Sequence, residues 1–273
     1  MPELPEVEVV RRGLAPLLVG RSVTGVHCLR PALRYPLPAD LQDRLYGRTC
    51  RRIRRRAKYL LLFFDGDLLL AWHMGMSGQF HVLPEDEAAG PHEHVRISLA
   101  DGSSLRYRDV RRFGYLGLFS ASDWQQHEWF ARLGPEPLDD AFDGTWLHRC
   151  CTARRTPVKT LIMQAQTVVG VGNIYASEVL FRAGIHPARA AGRISEAHCR
   201  HLAGAIKAVL AAAIDAGGSS ISDFVRTDGS PGYFAHQFQV YQRQGQPCLR
   251  CGAGIRRIVQ GGRSTFYCAG CQH

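Results

Sequence analysis

The sequence predicts an α+β protein of two domains. The first is an antiparallel β-sandwich or barrel behind a leading helix; the second is helical and ends in a metal-stapled β-hairpin. Three observations predict this. Strand-length apolar runs flank Asp65-Gly66 and Asp101-Gly102, dipeptides that favour tight hairpin turns. Leu133-Gly-Pro-Glu-Pro-Leu138 packs two prolines and a glycine into six residues, and the apolar period turns helical after it. Two Cys-x-x-Cys pairs, Cys248/Cys251 and Cys268/Cys271, close the chain.

The elements follow in order. Residues 5–19 predict a helix, with Pro5 in its first turn, Val7, Val10, Leu14 and Leu17 at helical spacing, and Gly20 as the stop. Residues 22–119 carry short apolar runs broken by turns; Tyr59–Phe64 pairs with Leu68–Trp72, and Val95–Leu99 with Ser104–Tyr107. Beyond the Pro-rich segment, helices are expected over Thr145–Cys151 and Pro157–Gln166. Asn173 is the expected N-cap of Ile174–Ala183, with Gly184 ending that helix. Ser195 caps a long helix with Leu202, Ile206, Val209 and Leu210 on one face, which ends at Gly217-Gly218. Ser219–Tyr233 is polar and glycine-rich, the composition of a loop.

The cysteines divide into two groups. Sixteen residues separate the terminal pairs, and Ile255–Gln260 and Ser264–Tyr267 form two strands around Gly261-Gly262. Four thiolates so spaced complete one tetrahedral zinc site and leave no open coordination position, which makes the zinc structural. Two disulfides are the alternative reading. With nine cysteines no complete intramolecular disulfide set exists. The other five, Cys28, Cys50, Cys150, Cys151 and Cys199, lack metal-like spacing and are expected to be small buried hydrophobes.

Lysine and arginine outnumber the acids by 34 to 24 in 273 residues, a net charge of +10, which favours a polyanionic partner, nucleic acid ahead of acidic lipid. No apolar run is long enough to span a membrane, and the acidic, proline-containing start is unlike a secretory signal, so the cytoplasm is the expected location. Arg51, Arg52, Arg54, Arg55, Arg56 and Lys58 fall within eight residues. At alternating spacing Arg54, Arg56 and Lys58 would share one strand face, and the apolar run beside Lys58 would partly enclose it. Val168-Val-Gly-Val-Gly-Asn173 places glycines before a helix, where backbone N–H groups can approach a phosphate. Arg263 at the hairpin tip is a second phosphate binder or a solvated turn residue.

The N-terminus has chemistry of its own. Removal of Met1, which a small second residue permits, leaves Pro2 as a secondary amine. An α-amino group has a pKa of about 8, so part of it is unprotonated near neutrality and able to attack a sugar carbon. The plainer reading of Pro2, Pro5, Glu3 and Glu6 is a stiffened helix start with carboxylates at its positive end.

Met1-Pro-Glu-Leu-Pro-Glu-Val-Glu8 resembles the start of the bacterial formamidopyrimidine-DNA glycosylases. Arg55-Arg-Ala-Lys58, His73-Met-Gly-Met-Ser-Gly78, Arg111-Arg-Phe-Gly114, Leu133-Gly-Pro-Glu-Pro137, Val169-Gly-Val-Gly-Asn173, Asp228-Gly-Ser-Pro-Gly-Tyr-Phe234 and the terminal cysteines resemble the same family in the same order, from end to end. The resemblance implies a β-sandwich catalytic domain over 1–132, an interdomain linker over 133–145, and a helix–two-turn–helix DNA-binding domain over 146–240 with a lesion-recognition loop at 218–233. A zinc finger over 241–273 holds one structural zinc. It implies excision of oxidised purines, 8-oxoguanine and formamidopyrimidines, from duplex DNA, followed by cleavage at the abasic site, by a monomer.

Carried over residue by residue, Pro2 is the implied nucleophile, Glu3 the acid/base at the sugar ring, Lys58 the acid assisting base departure and Glu6 a supporting carboxylate. Asn173 and Arg263 form the implied phosphate clamp. His92, Tyr241 and Arg154 are further DNA contacts, although Arg154-Arg155 stand where relatives often carry lysine. Met74, Arg111 and Phe113 are implied to fill the space left by the flipped nucleotide, Phe113 as a wedge and Arg111 against the orphaned partner base. The endonuclease VIII branch, which acts on oxidised pyrimidines, is the nearest alternative; Leu4 and the Met74/Arg111/Phe113 trio favour the purine branch. A non-catalytic damage binder is the alternative of another class, and a free Pro2 amine discriminates against it.

Overall fold

A computed structural model describes residues 2–219 and 234–273. The chain divides into two units, one of Met1–Ala131 and Gly217–Gly232, the other of Arg132–Ala216 and Tyr233–His273. The expected loop at 218–233 lies outside the described residues beyond Ser219.

The first unit is a sandwich of two four-stranded antiparallel sheets, which resolves the choice between sandwich and barrel. Its strands are β1 (Val23–Cys28), β2 (Cys50–Arg56), β3 (Tyr59–Phe64), β4 (Leu68–His73), β5 (Gly78–Pro84), β6 (Glu93–Leu99), β7 (Ser103–Asp109) and β8 (Tyr115–Ser120). They pair in the orders β1-β6-β7-β5 and β2-β3-β4-β8. Alternation sends Leu60, Leu62, Leu70 and Trp72 from one sheet and Val95, Ile97, Leu105 and Tyr107 from the other into one core. The leading helix α1 (Leu4–Leu18) closes this core with Val7, Val10, Leu14 and Leu18. Both Asp-Gly turns are present, and Gly66 and Gly102 adopt the positive φ that such turns require.

The second unit contains a short α2-independent set of helices: α3 (Gly144–Cys151), α4 (Val158–Ile162), α5 (Asn173–Ala183) and α6 (Glu196–Asp215), while α2 itself (Leu41–Leu45) belongs to the first unit. The Ser195 side chain accepts the N–H of His198 and caps α6, as its sequence position predicts. The α4 segment is shorter than expected: it ends at Ile162, and turns occupy 163–169. Gly134 donates its N–H to Ala165 and Pro135 accepts from Val169, so these turns bind the Pro-rich segment in place of continuing a helix. The terminal strands β9 (Ile255–Gln260) and β10 (Arg263–Cys268) pair around Gly261-Gly262, both at positive φ. Phe181 of α5 joins Val240, Ile255 and Phe266 in the small core that seats this hairpin.

The expectation of five buried inert thiols is corrected. Cys50, Cys151 and Cys199 are buried, but Cys28 is exposed and Cys150 half-exposed. Cys28 falls at the end of β1, on its solvent side, where composition gives no indication of facing. No helix among the described residues is long and apolar enough to cross a membrane.

Candidate active site and metal centre

Pro2 is buried at the mouth of α1. Glu3, the helix N-cap, and Glu6 follow it, each 2% exposed. Glu6 accepts the Glu3 backbone N–H on Oε2 at 2.8 Å and both the N–H and the hydroxyl of Ser219 on Oε1, each at 2.9 Å. Two carboxyl groups are thereby buried next to the N-terminus, at the helix end whose dipole favours negative charge.

Lys58 is placed by a turn and not by a strand face. Arg56 pairs with Tyr59, so Ala57 and Lys58 form a two-residue hairpin loop beyond the end of β2, and Ala57 adopts φ +54°. The expected sharing of one face by Arg54, Arg56 and Lys58 is therefore corrected: the pairing register ends the strand at Arg56, two residues too early for it. Arg55 fastens this loop, donating Nη1–H to the Ala57 carbonyl at 3.1 Å and Nε–H to Glu8 of α1 at 3.3 Å. The hairpin tip and the helix that follows Pro2 and Glu3 are thus tied through one guanidinium.

His73 lies close enough to Lys58 to feel its charge. Burial first, then Lys58 and Arg34, push its imidazole down to about 3, so the ring is neutral. Its Nδ1 accepts the Gly75 N–H at 3.0 Å, and the ring stacks on Tyr115 at 4.8 Å between centroids.

The three residues expected to fill a vacated base position are not equivalent. Arg111 is exposed, Phe113 is 43% exposed and the Arg111 guanidinium lies 5.0 Å from the Phe113 ring. Met74 is 1% exposed and belongs to the sandwich core. His92 is exposed in the turn before β6, at φ +61°.

The second unit gathers a different group. Asn173 is the first residue of α5 and Gly172 its N-cap, which corrects the expected assignment. The Asn173 side chain is committed elsewhere: Oδ1 accepts from Lys159 Nζ at 2.5 Å, and Nδ2 donates to the Ser264 carbonyl at 3.0 Å. Lys159, 1% exposed, also donates to Thr265 Oγ1 at 2.7 Å. Asn173, Lys159 and the β10 residues next to Arg263 therefore form one polar junction, and Arg263 itself stands exposed beside it. Sequence reading missed Lys159; its signal was a lone lysine inside the apolar run Val158-Lys-Thr-Leu-Ile162. Arg154 and Arg155 are exposed after α3. Tyr241 is half-buried between Phe238 and Phe266, and its N–H is one of three consecutive donors, from Gln239, Val240 and Tyr241, that converge on the buried carboxylate of Glu178.

Cys248, Cys251, Cys268 and Cys271 place their Sγ atoms within 4.8 Å of one another, with pairs at 3.4 Å and 3.9 Å. Zn–S bonds of about 2.3 Å in a tetrahedron put sulfurs about 3.8 Å apart, so the four thiolates fit one zinc ion. The Arg250 N–H points at Cys248 Sγ at 3.4 Å. A Cβ on Gly270 would crowd Cys251 Sγ at 3.2 Å, which explains a glycine in that knuckle. The chain holds one structural zinc, and with four thiolate ligands no position is left for a substrate.

Residues 1–116 match the formamidopyrimidine-DNA glycosylase N-terminal domain, 133–225 the H2TH domain of the same family, and 245–273 the zinc finger found in FPG and IleRS. A formamidopyrimidine-DNA glycosylase of Alkalilimnicola ehrlichii is 55% identical and one of Methylococcus capsulatus 51% identical, each covered over all of both chains. Among solved structures, a Lactococcus lactis FPG variant in complex with a Fapy-dG-containing DNA superimposes with a TM-score of 0.93 at 34% identity, over all of both chains. The MutM (FPG) protein of Thermus thermophilus gives a TM-score of 0.89 at 38% identity, over 99% of this chain and 98% of that one.

Proposed function

Since the chain belongs to the formamidopyrimidine-DNA glycosylase family, we propose that it excises oxidised purines, 8-oxoguanine and formamidopyrimidines, from duplex DNA in base-excision repair and then cleaves the strand at the abasic site. It acts as a monomer in the cytoplasm. Residues 1–132 carry the chemistry, 146–240 hold the duplex, 133–145 join the two, 218–233 recognise the lesion and the zinc finger 241–273 presents Arg263.

The observation that carries this reading is the burial of Pro2 beside Glu3 and Glu6. With Met1 removed, the Pro2 nitrogen lone pair attacks C1′ of the flipped nucleotide. The glycosidic electron pair leaves with the damaged base, which takes a proton from Lys58. Glu3 takes the proton from the attached Pro2 nitrogen and delivers it to the ring oxygen as the C1′–O bond breaks and the sugar opens, and Pro2 is left as an iminium on C1′. The iminium acidifies the C2′ proton. Its loss expels the 3′-phosphate by β-elimination, and δ-elimination expels the 5′-phosphate, leaving a one-nucleotide gap. Glu6 holds the Glu3 backbone in place for these transfers. Asn173, held by Lys159, and Arg263 bind DNA phosphates, His92, Arg154 and Tyr241 make further DNA contacts, and Arg111 and Phe113 occupy the space of the flipped nucleotide, joined by Met74 once it leaves the core.

The test is borohydride trapping of des-Met protein on a duplex containing 8-oxoguanine. A covalent protein–DNA adduct is expected, and Pro2→Gly should bind the duplex yet lose most excision. Absence of an adduct from des-Met protein removes Pro2 as nucleophile. Faster release of thymine glycol than of 8-oxoguanine would move the chain to the pyrimidine branch.

A further inference from the structure

The exposed pair Arg111 and Phe113 lies on a loop, residues 110–114 between β7 and β8, that has little packing of its own. Arg112 takes φ +56° and Val110 is 61% exposed. A wedge that enters a base stack has to resist being pushed aside, so something beneath it must hold its backbone.

What lies beneath is Asp109, the last residue of β7, fully buried. Every acceptor it has is directed at a structural neighbour of the wedge. Oδ1 accepts the Ser77 hydroxyl at 2.6 Å, and Ser77 Oγ in turn accepts the backbone N–H of Arg111 at 3.0 Å. Oδ2 accepts the backbone N–H of Gly114, the residue after Phe113, at 2.8 Å. The Tyr107 hydroxyl shares its proton between Asp109 Oδ2 at 3.2 Å and the Met74 carbonyl at 3.0 Å. The Asp109 carbonyl accepts from His94 Nε2 at 2.8 Å.

The packing has no room for an alternative arrangement. A Cβ on Gly75 would collide with the backbone of Phe113 and Gly114, one on Gly78 with the Met74 carbonyl and Tyr107, and one on Gly114 with the Tyr107 hydroxyl. The turn 74–77 and the loop 110–114 therefore touch backbone to backbone around a single carboxylate. Hydrogen bonds to an ionised group are the stronger kind, and burial strengthens them further.

We propose that Asp109, acting with Ser77, is a positioning residue for duplex opening: its buried carboxylate fixes the backbone on both sides of Arg111 and Phe113 and so sets where the wedge and the partner-base contact stand. Asp109 touches neither DNA nor the reacting atoms. Its influence falls on nucleotide extrusion and on discrimination of the base opposite the lesion, and not on the Pro2 chemistry. The inference rests on the void-filling role given to Arg111 and Phe113 above.

The experiment compares Ser77→Ala, Asp109→Asn, Arg111→Ala and Phe113→Ala in single-turnover assays on two substrates: 8-oxoguanine duplexes with cytosine or adenine opposite, and a duplex with a preformed abasic site, which has no damaged base to unstack. Ser77→Ala removes the Arg111 tether and the hydroxyl donor to Asp109 Oδ1, and leaves the Gly114 contact in place. Asp109→Asn keeps shape but must turn an NH2 either towards the Ser77 hydroxyl or towards the Gly114 N–H and the Tyr107 hydroxyl. Both should slow 8-oxoguanine excision by about tenfold to a hundredfold, the loss typical of misplaced groups. Both should also shrink the cytosine-to-adenine ratio, while abasic cleavage stays within about twofold. Arg111→Ala and Phe113→Ala should likewise slow 8-oxoguanine excision and shrink the cytosine-to-adenine ratio. If they do and the Asp109 and Ser77 variants match wild type, or lose both activities in parallel, the positioning role is overturned. If Arg111→Ala and Phe113→Ala leave excision unchanged, the void-filling role itself fails and the inference with it.

Discussion

Glu6 and Ser219 are joined by two hydrogen bonds, from the Ser219 N–H and from its hydroxyl to Glu6 Oε1, each 2.9 Å long. They lie 213 positions apart in sequence. Because the other oxygen of Glu6 holds the Glu3 N–H, one carboxylate ties the start of the chain to the residue at which the segment 220–233 departs. Glu6→Gln keeps the volume but can present an oxygen to only one of its two donor sets. Excision should fall about tenfold or more, and stability by about 1–3 kcal/mol, the cost of leaving a buried donor unsatisfied. Single-turnover kinetics and urea unfolding measure the two effects; unchanged values of both would show that the carboxylate charge is dispensable.

Lys159 organises the Asn173–Thr265 junction from a fully buried position. Lys159→Met retains the apolar stem and deletes the donor, so Asn173 loses the partner of its Oδ1. Duplex affinity should weaken about tenfold with the slope of its salt dependence unchanged, since the buried ammonium acts through Asn173. A salt titration of binding checks this, and a shallower slope would mean that Lys159 neutralises a phosphate directly.

His73 links stability to pH. Its folded value is held down to about 3 by burial and by Lys58 and Arg34, against 6.5 unperturbed. The unfolded chain therefore takes up the proton first. The stabilisation is complete above about pH 6.5 and declines as pH falls towards 3, by up to about 1.4 kcal/mol per pH unit. His73→Asn, whose side-chain oxygen can accept the Gly75 N–H in place of Nδ1, should be less pH-sensitive in that window. Urea unfolding of both proteins at pH 7, 6, 5 and 4 makes the comparison, and parallel curves would remove His73 as the cause.

Zinc removal should act locally. Phe266, Ile255 and the cysteines form a core too small to hold β9 and β10 without the metal. Chelation or Cys268→Ser should release the hairpin and Arg263 with it, weakening duplex binding at least tenfold. The sandwich, which has its own core, should keep its protection in hydrogen exchange. Loss of protection across both units together would mean that the zinc finger supports more of the fold than its own core suggests.

The sequence by itself determined the Asp-Gly hairpins, the start of α6 and the zinc ligands. Asp65-Gly66, Asp101-Gly102, Ser195 and the Cys-x-x-Cys pairs act over a few residues, where turn sterics, capping and ligand spacing are decided locally. Motifs read in one line also marked Pro2, Glu3, Glu6 and Lys58. Only the tertiary structure decided what those residues touch. Pairing register put Lys58 in a turn and off the strand face; packing drew Met74 into the core while Phe113 stayed out; and Asn173 was taken from capping duty by Lys159 and Ser264. Asp109 carried no local signal, because an isolated aspartate in sequence looks like any solvated charge, and the signal of Lys159 was only that of a lone lysine inside an apolar run. Each became informative only when residues dozens of positions away supplied the donors and acceptors that burial requires.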